Sequence, residues 1–449
     1  MMDRKYELGH ERVGRLLVRY SAPAMFAMFV NSMYNVVDTI FVGRGAGTLA
    51  LAGLAVSFPI QMFILASAQV VGIGSASLIS RSLGAGLQRK AERTAGTSFA
   101  TVGLMSAVIT GLGISFLRPL LKLFGATPAV LPYGVEYLSV IFLGSFFWAF
   151  AISSNNVVRS EGNAKIAMVS MLIGAITNII LDPIFIFGLD MGIRGAAVAT
   201  VIAHTCVFVF LCGYFMSGKS MLRIRRADLI PDLSLLPEVF AVGASSFARV
   251  AAGSVLAIVL NNSIGHYGSD VHLAVLGVLN RVMMFMLMPL FGLVQGTQPI
   301  VGFNYGAKNV HRVKEAVGKA SLAATVIASV GFAFVMTFPR PIFALFSKDP
   351  VLISEGVRII RVAILMVPCV GFQIIGSSMF QALGKALPAL FLSMSRQVLF
   401  LIPLILLIPL RFGLMGIWMS FPMADFMSLL VTGTCVLATL KWMTMEHEE

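Results

Sequence analysis

ALAGLAVSFPIQMFILASAQVVGIGSASLIS, residues Ala50–Ser80, contains no Asp, Glu, Lys or Arg. A helix crosses the hydrocarbon core of a bilayer with about 20 apolar residues, and this run is longer than that. It is continuous rather than alternating, whereas a transmembrane β-strand shows about 10 residues of alternating polarity. The stretch is a membrane-spanning helix. Six further runs are equally free of charge: Thr94–Leu117, Tyr137–Val158, Gly195–Gly218, Val282–Ala307, Ala320–Pro339 and Val362–Gly384. Five more carry one charge each: Ser21–Val42 (Asp38), Ile166–Leu189 (Asp182), Val239–Ser269 (Arg249), Ala386–Leu410 (Arg396) and Phe412–Leu440 (Asp425). The fold class is therefore an all-α polytopic membrane protein with twelve transmembrane helices.

Composition agrees. Of 449 residues 58% are hydrophobic and 12% charged, with a mean hydropathy of +0.90. A soluble domain carries about 25% charged residues, so this chain cannot cover a water-facing surface. The net charge of +13 is scattered between apolar runs, which excludes a nucleic-acid partner. Met1–Arg19 is polar and basic, and the apolar run behind it is too long for a signal peptide and lacks an A-x-A site. We expect a retained first helix. The four cysteines (Cys206, Cys212, Cys369, Cys435) lie in apolar runs without a C-x-x-C pair, as small buried hydrophobes do. With the N-terminus placed inside, the inner connections hold 21 Lys and Arg, the outer ones 9, and the spans 3. The excess of positive charge on one side predicts a multi-pass protein of the cell (inner or plasma) membrane with both termini cytoplasmic.

A shift of 222 residues superimposes the two halves of the chain. Gly84–Ala85 falls on Gly306–Ala307, Gly96 on Gly318, Phe124 on Phe346, Pro128 on Pro350, Gly134–Val135 on Gly356–Val357, and Gly162 on Gly384. FGLDMGI at Phe187–Ile193 repeats as FGLMGI at Phe412–Ile417. Each half holds six spans. Because six is even, the repeats are parallel, related by a pseudo-twofold axis along the membrane normal with a cavity between them. The expected organisation is an N-terminal lobe 1–218, a cytoplasmic linker 219–237 and a C-terminal lobe 238–449. Two-lobed secondary transporters are built this way.

A carboxylate inside a span is costly and marks a functional site by default. Asn31, Asn35 and Asp38 lie at i, i+4 and i+7 on one helical face, with Tyr34 at its edge. Asn178 and Asp182 are one turn apart and are followed by Pro183. The fourth span ends Ser153-Ser-Asn155-Asn156, and the sixth carries Thr200 and His204 four residues apart. Two carboxylates among amides and hydroxyls supply hard oxygens and one net negative charge once a proton is shared. That set suits a monovalent cation or a proton relay, and the alternative is a polar core that holds helices together. His204 reads as a hydrogen-bonded core histidine. The second half differs: Arg249, Arg281 and Arg396 face a single carboxylate, Asp425, and an Arg396–Asp425 ion pair is expected. Arg249, Gln295 and Gln373 are candidates for the cavity and substrate contact. Flexible Met and aromatic residues suit a cavity that accepts many hydrophobic shapes. No G-x-x-x-x-G-K-[ST], H-E-x-x-H or G-x-S-x-G occurs, so neither ATP hydrolysis nor an enzymatic activity is expected, and no cofactor.

Tyr34-Asn-Val-Val-Asp-Thr-Ile-Phe-Val-Gly43, Arg159-Ser-Glu-Gly-Asn163, Asn178-Ile-Ile-Leu-Asp-Pro183 and Gly192-Ile-Arg-Gly-Ala-Ala-Val-Ala-Thr200 together resemble the multidrug and toxic compound extrusion (MATE) transporters over essentially the whole chain. The resemblance implies efflux of hydrophobic, often cationic, small molecules in exchange for Na+ or H+. The DinF-like branch, which it favours, implies a first-lobe coupling site at Asp38, Asn178, Asp182 and Thr200, where Na+ could be held, with Asn155 nearby and Tyr34, Asn31, Asn35 and His204 in support. The NorM-like branch has carboxylates in the seventh and tenth spans, where this chain has Arg249, Gln373 and Gln381. Coupling is therefore expected to rest on the first lobe. The expected partners are small hydrophobic or cationic substrates and membrane lipid, with a monomer sufficient because one chain holds both lobes. The three intramembrane arginines keep a second reading open, a flippase for lipids or lipid-linked precursors.

Overall fold

The computed structural model describes residues 2–448, with side chains for 4–34 and 36–445; Asn35 lies outside the described side chains. A short helix α1 (Met2–His10) precedes α2 (Val13–Gly45), α3 (Gly47–Gly84) and α4 (Gln88–Ser115). Helix α5 (Leu117–Leu123) is a brief connection to α6 (Leu131–Leu143) and α7 (Ser145–Ser160), and α8 (Ala164–Pro183) and α9 (Gly192–Met216) complete the first half. The second half repeats the order as α10 (Leu236–Tyr267), α11 (Asp270–Gly306), α12 (Val310–Thr337), α13 (Pro339–Phe346), α14 (Pro350–Ala363), α15 (Val367–Ala382), α16 (Ala386–Met394), α17 (Ile402–Leu407) and α18 (Pro409–Glu448).

Among the described residues, ten helical stretches are long and apolar enough to cross a membrane unaided. The other two crossings, expected as straight runs at Tyr137–Val158 and Val362–Gly384, are each a bent pair. Helices α6 and α7 meet at 55°, and α14 and α15 at 52°. Gly144 makes the first bend, where a β-carbon would lie 2.3 Å from Val201. At the second, proline in the first turn of α15 has no N–H to continue α14. With each pair counted as one crossing, the chain makes twelve, six per half.

The repeat is visible in atomic contacts between the halves. A β-carbon on Gly84 would lie 1.9 Å from the Phe303 carbonyl oxygen, and one on Gly306 would lie 2.0 Å from that of Arg81. Gly74 meets the Val239 carbonyl and Gly243 that of Val70, both at 1.9 Å. The Gly84–Phe303 and Gly306–Arg81 contacts are exchanged by the 222-residue shift, as a pseudo-twofold between α3 and α11 requires, and the α3–α10 crossing has its counterpart between α11 and α2, where Gly296 meets Ser21 and Gly292 meets Met25. Only glycine lets backbones approach so closely, the membrane counterpart of small-residue helix packing. Hydrogen bonds between the halves gather at the same end: Ser77 Oγ donates to the Gln381 carbonyl at 2.5 Å and Ser21 Oγ to that of Leu293 at 3.4 Å. Arg81 pairs with Glu238 at 2.8 Å. The molecule is closed at the end where α3 and α11 finish.

The basic segment after α9 is docked rather than loose. Arg89 of α4 grips Asp228 through two nitrogens at 2.5 and 2.8 Å, and the Arg225 N–H donates to the same carboxylate at 2.8 Å. Burial pushes the Asp228 carboxyl up, but these hydrogen bonds outweigh it and hold the group below its ordinary value. Gly96 makes room, since a β-carbon there would sit 2.3 Å from the Asp228 carbonyl oxygen.

Candidate functional site

Helices α2, α8 and α9 bring the first-half polar residues together. Asp182 ends α8 just before a π-helical turn, Ile184–Gly188. Pro183 cannot donate to the helix ladder, and the wide turn is a form often found at functional sites. Asp182 is 0% exposed and Asn178 2%. Asn178 Nδ2 donates to Asp182 Oδ1 at 3.2 Å and to Thr200 Oγ1 at 3.3 Å. The carboxyl groups of Asp38 and Asp182 lie within interaction range of each other. Two bare carboxylates so placed repel, which favours a shared proton or an intervening cation. Among the described residues, Asp38 Oδ1, Asp182 Oδ2 and Asn178 Oδ1 have no hydrogen-bond partner. Three oxygens with unused lone pairs in one buried cluster suit a proton or a monovalent cation with oxygen ligands.

A cavity of about 260 Å³ adjoins this cluster and is lined by Asn31, Tyr34, Asn155, Asn178, Thr200 and His204 of the first half and Gln295 of the second. Neither Asp38 nor Asp182 lines it; they stand behind Tyr34, Asn178 and Thr200. Asn155 does not reach the carboxylates, because its amide donates to the Ala167 carbonyl at 2.9 Å and Ser170 Oγ at 2.7 Å. It ties α7 to α8. His204 has no hydrogen-bond partner among the described residues, contrary to the expected core histidine, and instead stacks on Trp148 with centroids 5.4 Å apart. Of the three expected cavity residues only Gln295 is present. Gln373 is buried in the second half, donating to the Asp425 carbonyl at 2.7 Å. Arg249, half-buried on α10, is also absent from this wall.

Sequence reasoning missed three neighbours. Tyr137 is buried within electrostatic reach of Asp38 and Asp182 and donates to Gln61 Oε1 at 3.4 Å. Trp148 and Arg159 line the cavity. Arg159 falls at a span end, yet its side chain turns inward and donates to Met171 Sδ at 3.1 Å. No sequence spacing signals that turn.

The sequence pattern of the MatE family matches residues 23–184 and again 246–407. The chain belongs to the MatE family. The multidrug export protein MepA of Staphylococcus aureus (strain MRSA252) is 25% identical over 425 residues, which cover 94% of this chain and 93% of the relative. A MATE structure in the bent conformation has a TM-score of 0.93 at 26% identity and covers 99% of both chains. The outward-facing conformation of a multidrug resistance MATE family transporter of the MOP superfamily gives 0.92 at 27%, over 98% of both.

In this MatE chain the two halves carry different chemistry. Arg396, within the π-helical segment Ser395–Leu401, forms an ion pair with Asp425 of α18, as the sequence led us to expect. Arg281 lies over the Phe346 ring at 5.9 Å. The second half thus holds a compensated pair where the first holds two carboxyls. Removing one member of a buried pair strands the other charge at a cost of about 3–5 kcal/mol, whereas an apolar replacement of both is often tolerated. Asp425→Leu is expected to lower the thermal unfolding midpoint in detergent, and Arg396→Met with Asp425→Leu to restore most of it. Equal losses in the single and double variants would contradict this reading.

Proposed function

We propose that this chain is a secondary active antiporter that exports hydrophobic and cationic small molecules by alternating access, in exchange for Na+ or H+. The observation that carries the reading is the pairing of half-buried Asp38 with fully buried Asp182 beside a cavity lined by Tyr34, Asn178 and Thr200, in a duplicated twelve-helix MatE fold. The coupling ion is taken up among Asp38, Asn178, Asp182 and Thr200. Asn155, His204 and Tyr34 shape the space in which substrate sits. Neutralising the pair favours one packing of α2 against α8, and a ligand moves such an equilibrium only through its differential affinity for the two states.

The same reading places lobes at 1–218 and 238–449, joined by 219–237, with both termini cytoplasmic in the plasma membrane. The functional unit is a monomer that uses neither ATP nor a cofactor and has no catalytic activity of its own. The flippase reading is weakened, because Arg396 is spent on Asp425 and Arg281 lies against Phe346, which leaves one of the three intramembrane arginines, Arg249, without an ion pair among the described residues. A cationic groove for phosphates would need those charges free.

Purified protein in liposomes, loaded with a fluorescent cation, tests the proposal. Efflux is expected under a sodium gradient at fixed pH or under a proton gradient without sodium, and the effective gradient identifies the coupling ion. No flux under either gradient would sink the antiport reading.

A further inference from the structure

A second cavity, of about 320 Å³, lies away from the coupling cluster, among α1, the start of α2, the α7–α8 turn and the segment after α9. Its walls carry Arg4, Arg19, Lys165 and Lys219 against one carboxylate, Glu7. Arg19 is paired with Glu7 at 2.9 Å, and Arg4 leans on Glu161 at 3.9 Å. Among the described residues Lys165 and Lys219 have no ion-pair partner. The floor is rigid. Glu161 is fully buried and accepts from Tyr214 Oη, from Ser220 Oγ at 2.7 Å and from the Met221 N–H at 2.7 Å.

One polar group at this cavity is unexplained. Tyr20 is 3% exposed, lines the cavity, and its hydroxyl has no hydrogen-bond partner among the described residues. A buried hydroxyl without a partner costs free energy unless something supplies an acceptor. The space beside it is kept open by Gly162, whose φ of +79° disfavours any side chain and whose β-carbon would stand 3.1 Å from Tyr20 Oη. Asn163 and Lys165, on either side of the first residue of α8, both line the cavity, so the N-terminus of α8 and its positive partial charge border it.

We propose that this pocket binds a phosphate-bearing anion, with Lys165 and Lys219 as the charge contacts, Tyr20 Oη as a donor to a phosphate oxygen, and the α8 N-terminus completing the field. Lysine serves phosphate as a mobile point charge. The pocket lies on the face toward which basic connections gather, where anionic lipid headgroups and soluble phosphates both occur. The chemistry is shared by these two sources, and the measurement separates them.

Thermal unfolding of the purified full-length protein in detergent would be followed against inorganic phosphate, dioctanoyl phosphatidic acid and dioctanoyl phosphatidylcholine. A ligand that binds only the folded state raises the midpoint in a saturable way. We expect such a rise with phosphatidic acid, inorganic phosphate or both, and none with phosphatidylcholine. A rise with the lipid alone assigns a headgroup, and with phosphate alone a soluble anion. Lys165→Ala with Lys219→Ala is expected to weaken the apparent affinity by about tenfold or more, and Tyr20→Phe by several-fold, in line with lost charge-assisted hydrogen bonds. Lys308→Ala, outside the pocket, is the unchanged control. No saturable rise with either anion, an equal rise with phosphatidylcholine, or affinities unchanged in both the lysine and Tyr20 variants would overturn the proposal.

Discussion

Asp182→Asn is expected to abolish ion-driven efflux while leaving a folded protein. The substitution keeps the side chain's shape, and its amide oxygen still accepts the Asn178 Nδ2 hydrogen bond, now 3.2 Å long at Asp182 Oδ1. What disappears is the group that changes charge when a proton or cation arrives. Asp38→Asn removes the other half of the same pair and should act alike. Coupling free energies between two ligand sites are typically about 1–3 kcal/mol, or 5–150-fold, so loss of the coupling group should reduce gradient-driven flux by about two orders of magnitude. Efflux from liposomes measures the loss, and an unchanged thermal unfolding midpoint shows that the fold survives. Wild-type flux in either variant would remove that residue from the coupling site.

Gly74→Val should be as damaging by a different route. A β-carbon there would lie 1.9 Å from the Val239 carbonyl oxygen, and the reciprocal Gly243 stands in the same relation to Val70. Close carbon–oxygen contacts lie at about 3.3 Å, so the helices must part by roughly an ångström or more. The obstacle is backbone, which cannot swing aside as a long side chain can. The end closed by α3 and α10 would then fail to close, and any state that depends on that closure would be lost. Transport should fall about tenfold or more, since even 1.4 kcal/mol of bias shifts an equilibrium tenfold. A cysteine introduced at Ser77, in a chain without its natural cysteines, should become accessible to a charged thiol reagent in the Gly74→Val and Gly243→Val variants alone. Gly318→Ala, with no atom within 4 Å of its added carbon, should leave both readings unchanged. Normal transport with an inaccessible Ser77→Cys would show that these crossings are not what shuts this end.

Much of the architecture was legible because membrane insertion imposes a linear rule. Each crossing needs its own uninterrupted apolar length, so Ala50–Ser80 declares itself without reference to any other part of the chain. The duplication was legible for a related reason: loop glycines and prolines constrain their own backbone, and Gly162 and Gly384 both adopt positive φ. The Asn178–Asp182 contact could be anticipated, since residues one helical turn apart share a face. Its partnership with Thr200 followed only by resemblance, because their helices meet through packing.

The bends at Gly144 and before Val367 were not legible. Apolarity continues unbroken through both, and only the fit against neighbouring helices decides where a span turns. His204 and Gln373 show the same limit. Both are polar residues on apolar helices, yet one faces a cavity against Trp148 and the other is used up on the Asp425 backbone. The chain by itself determined that this is a duplicated twelve-span membrane protein with two carboxyls in its first half, because hydrophobic length, charge and repeat spacing are properties of the linear order. Only the tertiary structure decided that Asp38 comes within reach of Asp182, that Gln373 is taken up by the Asp425 backbone, and that, among the described residues, Tyr20 is left without a partner beside lysines that have no ion pair. Those outcomes depend on how helices far apart in sequence are rotated against each other, and hydrophobic periodicity leaves that rotation open.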